Sequence, residues 1–144
     1  MSVPELHIAR PEAGPQLRLA WFWWSIGWAI VVYIAVSCLE PARYVPNLHL
    51  WDKLEHATAF FGMTLWFGGL TRRSRYPVIA LLLALFGAGI EIAQGAMQLG
   101  RDEDIMDFVA DSVGICIALV GLYLGLGDWA RWIERFLWPS RERS

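Results

Sequence analysis

The chain has 144 residues, of which 56% are apolar and only 18% are charged, and its mean hydropathy is +0.40. Soluble domains are usually about one-quarter charged, so this composition excludes an ordinary soluble domain and indicates a one-domain membrane protein. The formal net charge of −2 gives no sign of nucleic-acid binding.

Four apolar segments are predicted to form membrane-spanning helices, because a span needs about 20 mostly apolar residues. In chain order they cover residues 19–39, 54–70, 78–97 and 105–126. The first is expected to be a retained helix, because its apolar run is long for a cleaved signal peptide. The second is short and carries Glu55 and His56 near its start, with Asp52 placed to cap it.

The two ends of the chain are predicted to lie outside the bundle. Residues 1–18 are polar and contain proline, which indicates a tail. Residues 127–144 are expected to form an amphipathic tail, because aromatic and aliphatic side chains recur there at helical spacing: Trp129, Trp132, Ile133, Phe136 and Leu137. The expected fold is therefore all-α, an integral membrane four-helix bundle over residues 19–126 with a C-terminal interfacial amphipathic helix.

The distribution of cations predicts the orientation of the bundle. Nine Lys and Arg residues lie in the two tails and the second connection, against three in the first and third connections. Membrane proteins keep an excess of cations on the cytoplasmic side, so both termini are expected to be cytoplasmic. Within the second connection, Arg72, Arg73 and Arg75 are expected to set this topology and to meet anionic lipid.

Small residues spaced four apart predict where helices approach closely. The third segment carries Ala80, Ala84 and Ala88, and the fourth carries Gly114 with Ala118 and Gly121 with Gly125. The spacing predicts close contact without identifying which helices meet.

Three of the predicted helices carry polar side chains along one face near the expected outer surface. Residues three, four or seven apart share a helix face, which groups Asp52 with His56, Glu91 with Gln94 and Gln98, and Asp104 with Asp107 and Asp111. Ionisable groups inside a bilayer are costly and usually face a bundle interior or a wet cavity. The sequence therefore predicts an outward-open polar pocket built from Asp52, His56, Glu91, Gln94, Arg101, Asp107 and Asp111.

Three motifs in this region carry a resemblance to a known family. They are DKLEH at residues 52–56, EIAQ at residues 91–94, and R-x5-D-x3-D-x2-G formed by Arg101, Asp107, Asp111 and Gly114. In this order on successive helices they resemble the signature of the VanZ-like membrane proteins, over residues 51–125. Asp111 stands where that family often has Asn.

The resemblance implies a small integral protein of the bacterial inner membrane that acts in the cell envelope. The founding member of that family is linked to antibiotic resistance, toward the glycopeptide teicoplanin. A biochemical activity for the family is not established, so the resemblance names the fold better than the function.

The first functional hypothesis is a site that binds or remodels a lipid-linked or cell-wall precursor at the outer leaflet. A polar pocket half inside the membrane suits a sugar or phosphate head group on a prenyl tail. Arg101 would contact a phosphate, because a guanidinium grips phosphate bidentately. The other ligand-binding candidates are Gln94, Asp107, Asp111 and Lys53.

The second hypothesis is an enzyme. Glu91 would be a general base, and His56 an acid or base oriented by Asp52. Alternatively, His56, Asp107 and Asp111 would hold a divalent metal, the only cofactor that this residue set suggests, for hydrolysis or transfer on a lipid.

Proton movement and a purely structural role are two further hypotheses. Proton movement is disfavoured because the inner half of the third helix, residues 78–86, is wholly apolar. A purely structural role, in which the polar groups only hydrogen-bond across helices, is the remaining alternative. Membrane lipids are the expected partners in every case, and the oligomeric state is left open.

Overall fold

The computed structural model describes residues 17–40, 49–97 and 104–139. Within these ranges all regular structure is helical, as predicted. The helices are α1 (Ala20–Leu39), α2 (His49–Gly69), α3 (Tyr76–Met97), α4 (Ile105–Tyr123) and α5 (Trp129–Leu137). Short 3-10 turns, Arg73–Arg75 and Leu126–Asp128, precede α3 and α5.

Three of these helices, α1, α3 and α4, are long and apolar enough to cross a membrane. Most residues of these three helices are not buried by the rest of the protein. In the apolar 18-residue stretch of each helix, at most 33% of the residues are buried. The exposed side chains are large and apolar, for example Val32, Leu82 and Ile117. A continuous apolar surface of this extent is unusual on a soluble monomer, and it indicates a membrane protein.

The central helix is α2, which contacts α1, α3 and α4 and packs most extensively against α4. It has 21 residues, long enough to cross the same thickness, but its first two turns carry Asp52, Lys53 and Glu55. Its next turns supply the fully buried Phe60 and Met63 at the middle of the hydrophobic core. The charged start of α2 therefore lies on the same helix as the centre of the core.

A glycine lets α4 approach the backbone of α2 closely. Gly114 of α4 lies against the backbone of Ala57 in α2, so that an added Cβ would overlap the Ala57 carbonyl. Ala118, one turn along α4, is fully buried, as the row of small residues predicts. Gly125 differs from prediction, because it lies beyond the end of α4 with a φ of 122° and forms a turn instead of a helix contact.

Two helix boundaries also differ from the sequence prediction. Helix α2 begins at His49 rather than at residue 54, which places Asp52 inside the first turn instead of at the cap. Helix α4 ends at Tyr123 rather than at residue 126, because the positive φ of Gly125 ends the helix as glycine commonly does.

Polar contacts show which helix ends lie together. The side chain of Gln94 near the end of α3 donates to the carbonyl of Cys38 near the end of α1. Lys53 near the start of α2 contacts Asp107 near the start of α4. We call the end of the bundle that carries these two contacts the acidic end. In the described chain, all six arginines lie at the opposite end, which we call the basic end.

At the basic end, α5 is joined to the start of α1 by a buried carboxylate. Glu134 accepts hydrogen bonds from the backbone N–H groups of Arg18 (2.7 Å) and Leu19 (3.0 Å) and from the indole of Trp23 (2.9 Å). Burial acts to raise the pKa of Glu134, but the hydrogen bonds from Leu19, Arg18 and Trp23 outweigh it, and the net pKa is lowered. The ionised carboxylate thus caps α1 from α5.

Three tryptophans pack next to this carboxylate. The rings of Trp23, Trp66 and Trp129 lie within 5.9 Å of one another, centroid to centroid. The indole of Trp129 donates to the carbonyl of Leu65, 3.0 Å away. Trp129 therefore faces the bundle, whereas Trp132 and Phe136 are exposed.

Candidate functional site

A buried histidine–aspartate pair joins α2 to α4 at the acidic end. The Nδ1 atom of His56 lies 2.9 Å from Oδ1 of Asp111, and their side chains are only 4% and 1% exposed. Oδ2 of Asp111 is buried without a hydrogen-bond partner in the described chain. Gly87 of α3 leaves the room for it, since a Cβ there would lie 2.6 Å from Oδ2. The contact at Nδ1 fixes the orientation of the imidazole.

A lysine bridges two aspartates at the start of α4. Nζ of Lys53 lies 2.5 Å from Oδ2 of Asp104 and 2.8 Å from Oδ1 of Asp107. Asp104 is also the N-cap of α4, because its Oδ1 accepts from the N–H of Met106 at 2.8 Å. Lys53 is the only lysine or arginine of the described chain at this end. Within the described residues it pairs with two carboxylates of α4, while Asp111 is paired with His56.

The two polar residues of α3 make different contacts. Oε2 of Glu91 accepts from the N–H of Asp104 at 3.0 Å, next to the start of α4, while Oε1 is buried without a partner in the described chain. Nε2 of Gln94 donates to the Cys38 carbonyl at 2.9 Å. Glu91 therefore keeps an unused acceptor, whereas the Gln94 amide joins α3 to α1.

Three side chains at this end are spaced to hold a metal ion. Asp52, His56 and Asp107 each offer one ligand atom, and these atoms lie within 4.8 Å of one another. The predicted set had Asp111 in place of Asp52. Asp111 instead contacts Nδ1 of His56, and a carboxylate in this position commonly orients an imidazole whose other nitrogen binds a metal.

A cleft of about 670 Å³ lies between α1 and α2. Four of its polar lining residues lie toward the acidic end, Ser37, Asp52, Glu55 and His56, and Thr58 follows them along α2. Its deeper walls are apolar and include Ile30, Ile34 and Phe60. Tyr33, Trp51 and Leu54 also line it and are more than half exposed, so the cleft opens on the side of the bundle.

The predicted site residues occupy this region to different degrees. Asp52 and His56 line the cleft, whereas Glu91, Asp107 and Asp111 are buried on α3 and α4 and do not line it. Arg101, the predicted phosphate contact, lies outside the described residues, as does Gln98. Glu55, which was not among the predicted site residues, also lines the cleft.

Two contributors were not among the predicted site residues. Asp104 bonds Lys53 and caps α4, and an Asp directly before an apolar run is a usual helix-start signal. The backbone carbonyl of Cys38 has no such signal, because no side-chain type marks it. Compared with known proteins, the chain matches no protein-family model, no curated protein and no solved structure.

Proposed function

We propose that this protein binds the polar head group of a lipid-linked cell-envelope precursor in the cleft between α1 and α2. The supporting observation is the order of residues along the cleft. Asp52 and His56 lie toward the acidic end, and Ile30 and Phe60 lie deeper in the bundle. A ligand with a hydroxyl-rich or phosphorylated head and a prenyl tail matches this order, because the tail would contact apolar walls while the head meets hydrogen-bonding groups.

We propose further that the protein is a VanZ-like protein of the bacterial inner membrane, with four spanning helices and both termini in the cytoplasm. The acidic end then faces outward and α5 lies in the inner interface. Glycopeptide tolerance would follow from occupancy of an envelope precursor. Arg101 and Lys53 would contact a phosphate, while Gln94, Asp107 and Asp111 would complete the polar surround.

A bulky side chain in the cleft tests this function. Thr58 is an exposed residue that lines the cleft, so Thr58→Trp should block the ligand without disturbing the core. We expect the affinity for a polyprenyl diphosphate-linked sugar to fall about tenfold, which corresponds to a loss of roughly 1.4 kcal/mol. Native mass spectrometry of the detergent-solubilised protein measures the bound fraction.

The matched control is Ile117→Trp, on a part of α4 that is 57% exposed and does not line the cleft. It should bind the lipid-linked sugar as the unmodified protein does. Equal binding by the Thr58 and Ile117 variants would show that the ligand does not occupy the cleft.

A metal-dependent hydrolase or transferase acting on a membrane lipid is the second candidate. The grouping of Asp52, His56 and Asp107 favours it. A divalent cation held there would polarise a phosphoryl oxygen of the substrate. Glu91 has a buried oxygen with no partner in the described chain, and this oxygen would accept the proton of the attacking water.

Metal content distinguishes this candidate from simple lipid binding. His56→Ala removes a ligand, so we expect at least about tenfold weaker retention of Zn²⁺ or Mn²⁺, since even substitution of a residue that only hydrogen-bonds a metal ligand lowers metal affinity about 10–100-fold. Glu55→Gln is the control, because Glu55 lines the cleft outside the metal-spaced group. Elemental analysis after dialysis gives the readout. Equal metal content in both variants would exclude the metal-dependent candidate.

A further inference from the structure

The basic end contains a second pocket, separate from the acidic site. It has a volume of about 260 Å³ and is lined by Thr71, Arg72, Arg73, Tyr76, Asp128 and Arg131, among others. Its walls come from the turn before α3, the end of α4 and the turn before α5. We call it the basic pocket. Because the two sites lie at opposite ends of the bundle, this pocket is independent of the function proposed for the acidic end.

The charge of the basic pocket is positive. Asp128, its acidic lining residue, forms an ion pair with Arg131. In the described chain neither Arg72 nor Arg73 forms an ion pair. Two guanidinium groups are therefore left to meet an anion, and guanidinium is the side chain best suited to bidentate contact with phosphate oxygens.

Aromatic contacts hold this pocket in shape. The guanidinium of Arg73 lies 4.8 Å from the ring centroid of Tyr123, a cation–π distance. The Tyr123 ring packs edge to face against Tyr76, with centroids 5.3 Å apart. Arg73 is thus positioned before any ligand arrives, which lowers the entropy cost of binding.

A buried phenol supplies a hydrogen-bond donor to the same pocket. Tyr76 is 4% exposed, yet its hydroxyl makes no hydrogen bond in the described chain. Gly127 leaves the space that this hydroxyl occupies, since a Cβ at that position would overlap it. The hydroxyl is therefore an unused donor that lines the pocket beside two unpaired arginines, and it can donate to a bound anion.

We propose that the basic pocket binds a phosphate group, specifically the head-group phosphate of an anionic phospholipid. Free phosphate has the same chemistry, but the surroundings favour a lipid. Leu124 and Leu126, next to the pocket in the chain, are 83% and 45% exposed, and Tyr123 in its lining is 41% exposed. An acyl chain can lie against this apolar surface while the phosphate meets Arg72 and Arg73.

The experiment measures lipid binding by the full chain in detergent, using native mass spectrometry. Dioleoylphosphatidylglycerol should bind more tightly than dioleoylphosphatidylcholine, which carries no net charge. The double variant Arg72→Gln, Arg73→Gln should weaken phosphatidylglycerol binding by at least about tenfold, because two charge-assisted contacts are lost. Tyr76→Phe should weaken it about threefold by removing one neutral donor.

Arg75→Gln is the matched control, because Arg75 lies in the same turn but does not line the basic pocket. The sequence predicts that all three arginines of this turn meet anionic lipid, but because only Arg72 and Arg73 line the pocket, Arg75→Gln should leave phosphatidylglycerol binding unchanged. A loss with Arg75→Gln equal to that of the double variant would overturn the proposal, since general surface charge would then explain binding. Displacement of the lipid by an equal concentration of inorganic phosphate would overturn the lipid assignment.

Discussion

Replacing Gly114 with alanine should destabilise the bundle by about 1–3 kcal/mol, the usual cost of overpacking a tight interior contact. The added methyl would overlap the carbonyl of Ala57 and approach the backbone N of Phe61 in α2. Neither neighbour is the flexible tip of a side chain, so α2 and α4 would have to move apart. These two helices make the most extensive contact in the fold, and they also carry His56 and Asp111.

The matched controls are Gly62→Ala and Gly89→Ala. Both glycines lie inside helices, and a Cβ at either position would meet nothing within 4 Å. Alanine favours a helix over glycine by up to about 1 kcal/mol, so these variants should be neutral or more stable. Unfolding in detergent, followed by circular dichroism, measures all three. A Gly114→Ala variant as stable as Gly89→Ala would show that the helices do not approach as closely as described.

The sequence predicted α1, α3 and α4 well because the thickness of a bilayer sets the length of an apolar span. Two ends were shifted for physical reasons. The first turns of α2 carry Asp52 and Lys53, and Lys53 faces the aspartates of α4 instead of lipid, so hydropathy does not mark where this helix begins. The end of α4 depends on the backbone angle of Gly125, which an apolar run does not reveal.

Helical periodicity predicted which site residues share a face, but not which partner each would meet. Asp52 and His56 do lie within reach of one metal ion, yet the hydrogen bond of His56 is made to Asp111 on another helix. Gln94 contacts the backbone of α1, a helix with no charged side chain. Such hydrogen-bond pairings depend on how the helices rotate and pack against one another, which helical periodicity alone does not specify.

Two substitutions of Asp111 should differ widely in effect, because one keeps an acceptor for His56 and the other removes it. Asp111→Ala should cost about 3 kcal/mol or more, within the range seen when one partner of a buried pair is removed. Asp111→Asn should cost only about 1 kcal/mol. Its amide can still hydrogen-bond to Nδ1, with the oxygen accepting or the nitrogen donating according to the His56 tautomer. The other amide atom would replace Oδ2, which already has no partner in the described chain.

Unfolding free energies measured in detergent with a metal chelator would separate this effect from any loss of a bound metal. Glu55→Gln is the control, since Glu55 is exposed and a surface change of this kind should stay within about 0.5 kcal/mol. If Asn proved as harmful as Ala, the contact would depend on the full charge of Asp111 and not on a hydrogen-bond partner alone. If both variants stayed within the range of the control, the pair would carry little of the stability that joins α2 to α4.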